Sequence, residues 1–368
     1  MPRDAPVTIA TGRADARGEE GDEVDGGGTG AAVTARGASG RQRSMLRAPM
    51  PSDQPGTNRP PLLLLANPVA GNGRGRRAAD RLGTALQRAG VPFVRHDTTH
   101  RGHAQTLAAT QRPGQTVVLV GGDGTVHEVL NGLPVHDRAL GPLAVLPCGS
   151  GDDLASSLRL SRRPEDLATA LANSSPRAID VALARYDGPH GPVVERFANS
   201  AALGFDGEVA AQARKPHRVR GRLLYALATF AVLRRNPTFA GTITVDDGPG
   251  TTARSWQQEL SFVATGNGQF IGGGLRLLPD GRIDDRALDA VAVPALPRRT
   301  ILWLFAKLIA GRHRKDPRLQ PHRGRRIHVA SDRPLEGALD GEGLQQRVRA
   351  ITYEIAPERL WFVGARLS

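Results

Sequence analysis

The segment Thr116-Val117-Val118-Leu119-Val120 runs straight into Gly121-Gly122-Asp123-Gly124-Thr125, and few folds accept that junction. A β-branched apolar run without polar alternation reads as a strand covered on both faces. The glycines end it abruptly, and Val126–Gly132 begins a helix. Leu62–Ala66 and Leu143–Leu146 are further apolar strands, and Val91–His96 is another. Between them Arg76–Ala89 and Ala104–Gln111 read as helices. Strands alternating with helices predict an α/β region with a parallel sheet covered on both sides. In such sheets ligands bind beyond the carboxyl ends of the strands.

The pattern changes after about Asp180. Short β-rich segments appear at Ile179–Arg185, Phe197–Ala202, Gly241–Val245, Leu260–Gly266, Ala287–Val293, Arg326–Ala330 and Val348–Ile355. Pro, Gly and Asp turns separate them, which predicts a β-rich antiparallel sandwich. Arg222–Leu233 and Thr300–Ala310 interrupt it as helices. Residues 1–60 hold almost no large apolar side chains and are expected to be a disordered tail.

The 368 residues carry a formal net charge of +13, whereas the tail holds eight arginines and eight acids. The excess therefore sits beyond the tail, clustered at Arg214–Arg235 and Arg298–Arg326. Such a surface attracts nucleic acid, anionic membrane or phosphorylated ligands alike. Nucleic acid is not expected, because the basic clusters carry few aromatics for stacking and no recognised motif. The single cysteine, Cys148, excludes an internal disulfide and a cysteine-based zinc site. No apolar run reaches the roughly 18–20 residues that span a bilayer, and residues 1–20 lack a secretory pattern. A cytoplasmic protein associated peripherally with membrane is the expectation.

Three glycine-bearing loops carry the chemistry. In Gly121–Thr125 the glycines let backbone N–H groups approach phosphate oxygens, and the following helix adds its positive end. Asp123 would repel a phosphate unless a divalent cation lies between them; the plainer alternative is that it caps the helix. Pro147-Cys148-Gly149-Ser150-Gly151-Asp152-Asp153 and Asn67-Pro68-Val69-Ala70-Gly71-Asn72-Gly73 follow two other strands. Three such loops at one sheet edge point to a nucleotide site.

This set resembles the diacylglycerol kinase catalytic-domain family, which includes bacterial lipid kinases and sphingosine kinases. The resemblance runs from about residue 62 to 366. It rests on Asn67-Pro68, Thr98 with Gly102-His103-Ala104, Gly121–Thr125 extended by Glu128, Val129, Asn131 and Gly132, and Pro147–Ala155. Asn199 with Gly204-Phe205-Asp206, Asn267-Gly268, Gly272–Gly274, Asp284-Asp285 and Asp340-Gly341-Glu342 complete the order. The resemblance implies a nucleotide-binding α/β domain over 61–178, of the NAD kinase and phosphofructokinase type. A β-rich lipid-substrate domain follows over 179–355, and about 356–368 returns to the first domain.

It further implies transfer of the γ-phosphoryl group of ATP to the hydroxyl of diacylglycerol or a related long-chain lipid alcohol. Asn67, Thr98, Gly121, Gly122, Asp123, Gly124, Thr125, Ser150 and Glu342 would contact the nucleotide, with Glu128 supporting them. Asp123 would engage the nucleotide-bound Mg²⁺, and Asp340 would take the proton from the acceptor hydroxyl. Asp285, with the main-chain carbonyls of Arg282 and Ala287, would bind a separate structural Mg²⁺. Plain turns at Asp340-Gly341 and at Asp284-Asp285 are the alternatives. The chain departs from the family at Ser150, Asp152 and Arg286, where Thr, Asn and Gly are usual.

The expected partner is a lipid substrate at an anionic membrane surface, met by the basic-apolar segments Arg214–Arg235 and Leu302–Lys315. The alternative for those segments is packing on their own domain. A homodimer is an open option. An NAD kinase-like enzyme and a weakly active nucleotide-binding regulator are the competing functions.

Overall fold

Alternate residues of the apolar strands go to opposite faces of one sheet, and that divides the first core in two. Leu63, Leu65, Val117, Leu119, Leu143 and Val145 pack on one side with Val126, Val129 and Leu130. Leu64, Ala66, Val118, Val120, Ala144 and Leu146 pack on the other with Ala79, Leu82, Leu86 and Leu167. A strand buried on both sides cannot alternate in polarity, which is why these segments are continuously apolar.

The computed structural model describes residues 60–204, 209, 238–248 and 250–367. The tail (residues 1–59), the helix expected at Arg222–Leu233, the basic cluster Arg214–Arg235 and Phe205-Asp206 lie outside the described residues. The first region runs β1 (Leu62–Ala66), α1 (Ala70–Arg88), β2 (Phe93–Asp97), α2 (His103–Ala108), β3 (Val117–Gly121), α3 (Asp123–Gly132), β4 (Val135–His136), β5 (Ala139–Pro147), α4 (Asp153–Ser157) and α5 (Pro164–Asn173). β1 pairs in parallel with β2 and β3, and β3 with β5. All four therefore end at one edge.

The second region is built from β6 (Arg177–Gly188), β7 (Gly191–Phe197), β8 (Ser200–Gly204), β9 (Phe239–Asp246), β10 (Arg254–Gly266), β11 (Leu288–Pro294), α6 (Arg298–Ile309), β12 (Gln320–Gly324), β13 (Arg326–Leu335), β14 (Gly337–Leu339), β15 (Glu342–Gly343) and β16 (Val348–Phe362). Its strands pair antiparallel around a core holding Phe197, Phe239, Ile243, Tyr353 and Leu339. The expected strand Phe197–Ala202 proves to be the end of β7 and the start of β8. Asn199, buried between them, explains the break: its side chain bridges Ser157 and the Phe270 carbonyl.

β16 joins the regions. Its residues 351–355 pair antiparallel with β6, while Arg359, Leu360 and Phe362 run parallel to β5. The hydrogen-bonded path is thus continuous, in the order β15-β14-β8-β10-β9-β13-β16-β5-β3-β1-β2. The helices α4 and α5 were not expected from sequence, being short and Ala-rich with few large apolar side chains. Among the described residues no helix is long and apolar enough to cross a membrane.

Candidate active site

The three glycine-bearing loops meet. Asn67 Nδ2 donates to Thr125 Oγ1 at 3.0 Å, which ties the loop after β1 to the glycine turn. The Cys148 N–H donates to the Gly121 carbonyl at 2.8 Å, bringing in the loop after β5. That loop passes so close that a methyl group on Gly122 would lie 2.8 Å from Gly149 Cα. Only paired glycines permit this approach. In the first loop Gly71, Asn72 and Gly73 are left-handed, with φ of 57°, 61° and 84°, which delays regular helix to about Arg74.

The other expected nucleotide contacts gather at the same edge. Thr98 follows β2, and its N–H donates to the Ala66 carbonyl at 2.8 Å. Glu128 accepts from the Ala104 N–H at 3.2 Å and so caps the start of α2. Ser150 is exposed at the tip of its loop.

Asp123 opens α3 and is half-buried. Its carboxylate accepts from the Asp153 and Leu154 N–H groups at 3.2 and 3.4 Å. Burial pushes its pKa up to about 7, reinforced by the charges of Asp153, Asp152 and Asp340 and opposed by the Asp153 N–H. Asp153 is likewise raised, first by burial, although the Gly273 and Gly274 N–H groups bind it at 2.9 and 2.6 Å. Asp152, left-handed with φ 55°, is raised by burial against the pull of Arg162, 2.7 Å away. Carboxylates with this little compensating charge suit a divalent cation whose remaining ligands come from a bound phosphate. Asp123 is the carboxylate that would meet such a cation beside a phosphate, although among the described residues no three His, Cys, Asp or Glu form a metal site by themselves.

Across the sheet path, β14 and β15 form a hairpin with Asp340-Gly341 as its two-residue turn. Both turn residues have positive φ, 49° and 84°, as a type I′ turn demands, and Asp-Gly is a preferred sequence for it. The hairpin brings Glu342 over the glycine turn. Glu342 Oε1 lies 2.5 Å from where a Cβ on Gly124 would be, and Arg101 Nη2 holds Oε2 at 2.5 Å. Asp340 points elsewhere. Its side chain, 5% exposed, accepts the Ala198, Asn199 and Ser200 N–H groups at 2.9, 2.9 and 3.0 Å.

Sequence reasoning did not single out His127, Asp153 or Arg101. His127 lies one helical turn after Asp123, the i,i+4 spacing that puts both on one face of α3. Its Nδ1 is 3.8 Å from Asp340 Oδ2. Burial opposes its positive charge, but Asp340 outweighs that and lifts the imidazole pKa.

At the expected second Mg²⁺ site, formed by Asp285 with the main-chain carbonyls of Arg282 and Ala287, the Asp285 carboxylate meets an arginine. Arg323 Nη2 lies 2.5 Å from Asp285 Oδ2, and its Nη1 lies 2.8 Å from Asp289. The other Asp285 oxygen accepts the Ala287 N–H at 3.3 Å. Asp285 is thus neutralised by a guanidinium in this structure. Arg286 adopts the left-handed φ of 62° that the turn needs and swings onto Asp180 and the Ala356 carbonyl. Stripping divalent metal from nucleotide-free protein with a chelator should therefore leave Tm unchanged, within about 1 °C by calorimetry, whereas loss of a structural metal would lower it by far more.

Glycine-bearing loops at the carboxyl ends of parallel strands, with Asp123, Asp152 and Asp153 gathered beside them, define the site of this α/β module. Residues 61–184 match the model of the diacylglycerol kinase catalytic domain. Residues 199–363 match the YegS C-terminal NAD kinase β-sandwich-like domain. A probable lipid kinase YegS-like protein of Xanthomonas oryzae pv. oryzae is 32% identical over 62% of this chain and 72% of its own length. A diacylglycerol kinase of Mycobacterium tuberculosis is 29% identical over 72% and 83%. The crystal structure of a diacylglycerol kinase from Bacillus anthracis superposes with TM-score 0.62 at 20% identity, covering 84% of this chain and 98% of the other, and shares the fold. The chain belongs to the diacylglycerol kinase catalytic-domain family and is a lipid kinase.

Proposed function

We propose that this kinase moves the γ-phosphoryl group of ATP to the hydroxyl of diacylglycerol or a related long-chain lipid alcohol at an anionic membrane surface. The observation that carries the reading is the opposition of two elements. The phosphate-ready turn with Asp123 faces a hairpin that leans the free end of Glu342 over it. In this reading residues 61–178 form the nucleotide domain and 179–355 the lipid domain, with 356–368 returning to the first.

Phosphoryl transfer asks mainly for positioning and charge neutralisation. Backbone N–H groups of Gly122 and Gly124 at the start of α3 would hold the phosphates, with Asn67, Thr98, Thr125 and Ser150 bordering them. Mg²⁺, held by Asp123, would supply positive charge against the phosphate oxygens. We assign the proton-accepting role to Glu342 rather than Asp340. Glu342 is the more accessible carboxylate and leans on the turn, whereas Asp340 already receives three N–H donors. Asp340 then fixes the hairpin, and His127 beside it holds that anchor.

The test is label transfer from γ-labelled ATP with Mg²⁺ to mixed micelles of diacylglycerol, sphingosine, ceramide or phosphatidylglycerol, with NAD in a parallel tube. Label should enter at least one lipid, diacylglycerol foremost. Transfer to NAD alone, or to none of the acceptors, would overturn the reading.

A further inference from the structure

The helix α6 turns apolar side chains outward. Leu302 and Trp303 are each 46% exposed and Ile309 is 65% exposed. Leu302, Ala306 and Ile309 recur at i, i+4 and i+7, so they form one solvent-facing stripe with Trp303 beside it. The opposite face is already used: Ile301 and Leu304 are buried, and Leu308 packs on Ala202, Ile271 and Leu277. Packing on its own domain therefore accounts for half of this helix and leaves the stripe without a partner among the described residues.

Charge surrounds the stripe. Arg298 and Arg299 open the helix and Arg312 and Lys315 follow it, and none of the four has an ion-pair partner among the described residues. Trp303 is braced rather than loose. Lys307 Nζ lies 3.7 Å and Arg318 Cζ 4.4 Å from its ring centroid. Both cations are held by the buried Asp316, at 2.9 and 2.8 Å. An indole fixed at the rim of an apolar stripe by two cations, on a helix flanked at both ends by unpaired basic side chains, has the chemistry of an interfacial helix. At 12 residues α6 cannot span a bilayer but can lie in its surface.

We infer that α6 is the membrane-docking face of this kinase, with Leu302, Trp303 and Ile309 entering the interface of an anionic bilayer and Arg298, Arg299, Arg312 and Lys315 meeting its headgroups. The inference rests on the lipid-kinase reading for its purpose but not for its test. Its place in the fold suits that purpose. The residues under α6, Ile271 and Leu277, flank Gly273 and Gly274, whose N–H groups bind Asp153 beside the phosphate turn. A bilayer against α6 is thus separated from the acidic pocket by one loop.

The experiment is co-sedimentation of the full chain, without nucleotide, with vesicles of phosphatidylcholine alone or mixed with phosphatidylglycerol. The protein should bind the mixed vesicles, and binding should weaken as salt rises. Leu302→Ser with Ile309→Ser should cut binding at least about tenfold. Reversing Arg298 and Arg299 to Glu should cut it by about fivefold per residue or more. Val194→Ser, an exposed valine on β7, should change nothing. Circular dichroism checks that each variant is folded, and phosphorylation of a short-chain diacylglycerol in detergent should stay at wild-type level in all of them. Equal binding by the α6 variants, or no preference for anionic vesicles, would overturn the inference. So would a dimer in ultracentrifugation that Leu302→Ser with Ile309→Ser dissociates, since the stripe would then belong to a subunit interface. Loss of kinase activity with intact vesicle binding would instead count against the lipid-kinase reading.

Discussion

Replacing Asp123 with Asn should slow phosphoryl transfer by about 10²–10³-fold and at the same time make the nucleotide-free protein more stable above neutral pH. The two effects share one cause. Burial and the nearby Asp153, Asp152 and Asp340 charges push the Asp123 carboxyl up to about 7, from 3.8 when unfolded. Between those values the folded protein binds more protons than the unfolded chain, so its stability falls as pH rises. The protonated form contributes fully below about pH 4, and that contribution is gone above about pH 7. At pH 8 the ionised group costs at most on the order of 4 kcal/mol at 1.36 kcal/mol per pH unit, and solvent reaching a half-buried group reduces this to about 1–3 kcal/mol.

Asn removes the charge at the cost of one of the two long hydrogen bonds from the Asp153 and Leu154 N–H groups. In chelator-treated, nucleotide-free protein, Asp123→Asn should raise Tm at pH 8 by roughly 3–6 °C and do little at pH 5. Asp152 and Asp153 are shifted the same way, so part of the pH slope should survive the substitution. With ATP, Mg²⁺ and lipid the variant should lose about 10²–10³-fold in kcat, the scale of removing one preorganised electrostatic contact. Scanning calorimetry at the two pH values gives the first result and initial rates give the second. A variant no more stable than wild type at pH 8 would show that the carboxylate is already balanced in the free protein, and would remove the argument for a cation there.

The physical reason for that strain was visible in the sequence only as an oddity, an acid in a turn otherwise suited to phosphate. The strand positions were more legible, because burial on both faces writes itself as an unbroken apolar run at Leu62–Ala66 and Val117–Val120. Less legible was β16, whose 15 residues serve both regions. Local pattern marks its first half as sandwich strand, and nothing local says that Arg359–Phe362 will run parallel to β5. Pairings of that kind are fixed by topology across more than 200 residues. The site divided in the same way. The three loops could be found because glycine at a strand end has one main use. The pairing of Arg323 with Asp285 could not, because residue 323 is 38 positions from Asp285 and arginines are common throughout this chain. The contrast between Asp340 and Glu342 was also hidden, since they stand two residues apart and only the hairpin geometry turns them in different directions.

That contrast yields the second large expectation. Glu342→Gln should lower kcat by about 10²–10⁴-fold, the usual contribution of a general base, and should leave the protein almost as stable as wild type. The stability follows from its surroundings: the paired Arg101 is 76% exposed, so the ion pair lost is a surface one worth about 1 kcal/mol or less. Asp340→Asn should do the opposite. Asn tolerates the positive φ of a type I′ turn, so the turn itself survives. The amide group, however, replaces one charged acceptor with a donor facing a backbone N–H. Ala198, Asn199 and Ser200 then lose charge-assisted partners in a buried site, at roughly 1.5–3 kcal/mol for each bond lost. Asp340→Asn should therefore lower Tm by roughly 5 °C or more. Its kcat should fall only as far as the hairpin loosens. If instead Asp340→Asn keeps its Tm and loses kcat by the larger factor, the roles are reversed and Asp340 takes the proton. Two residues of one hairpin would then have been told apart by which variant melts and which one merely stops.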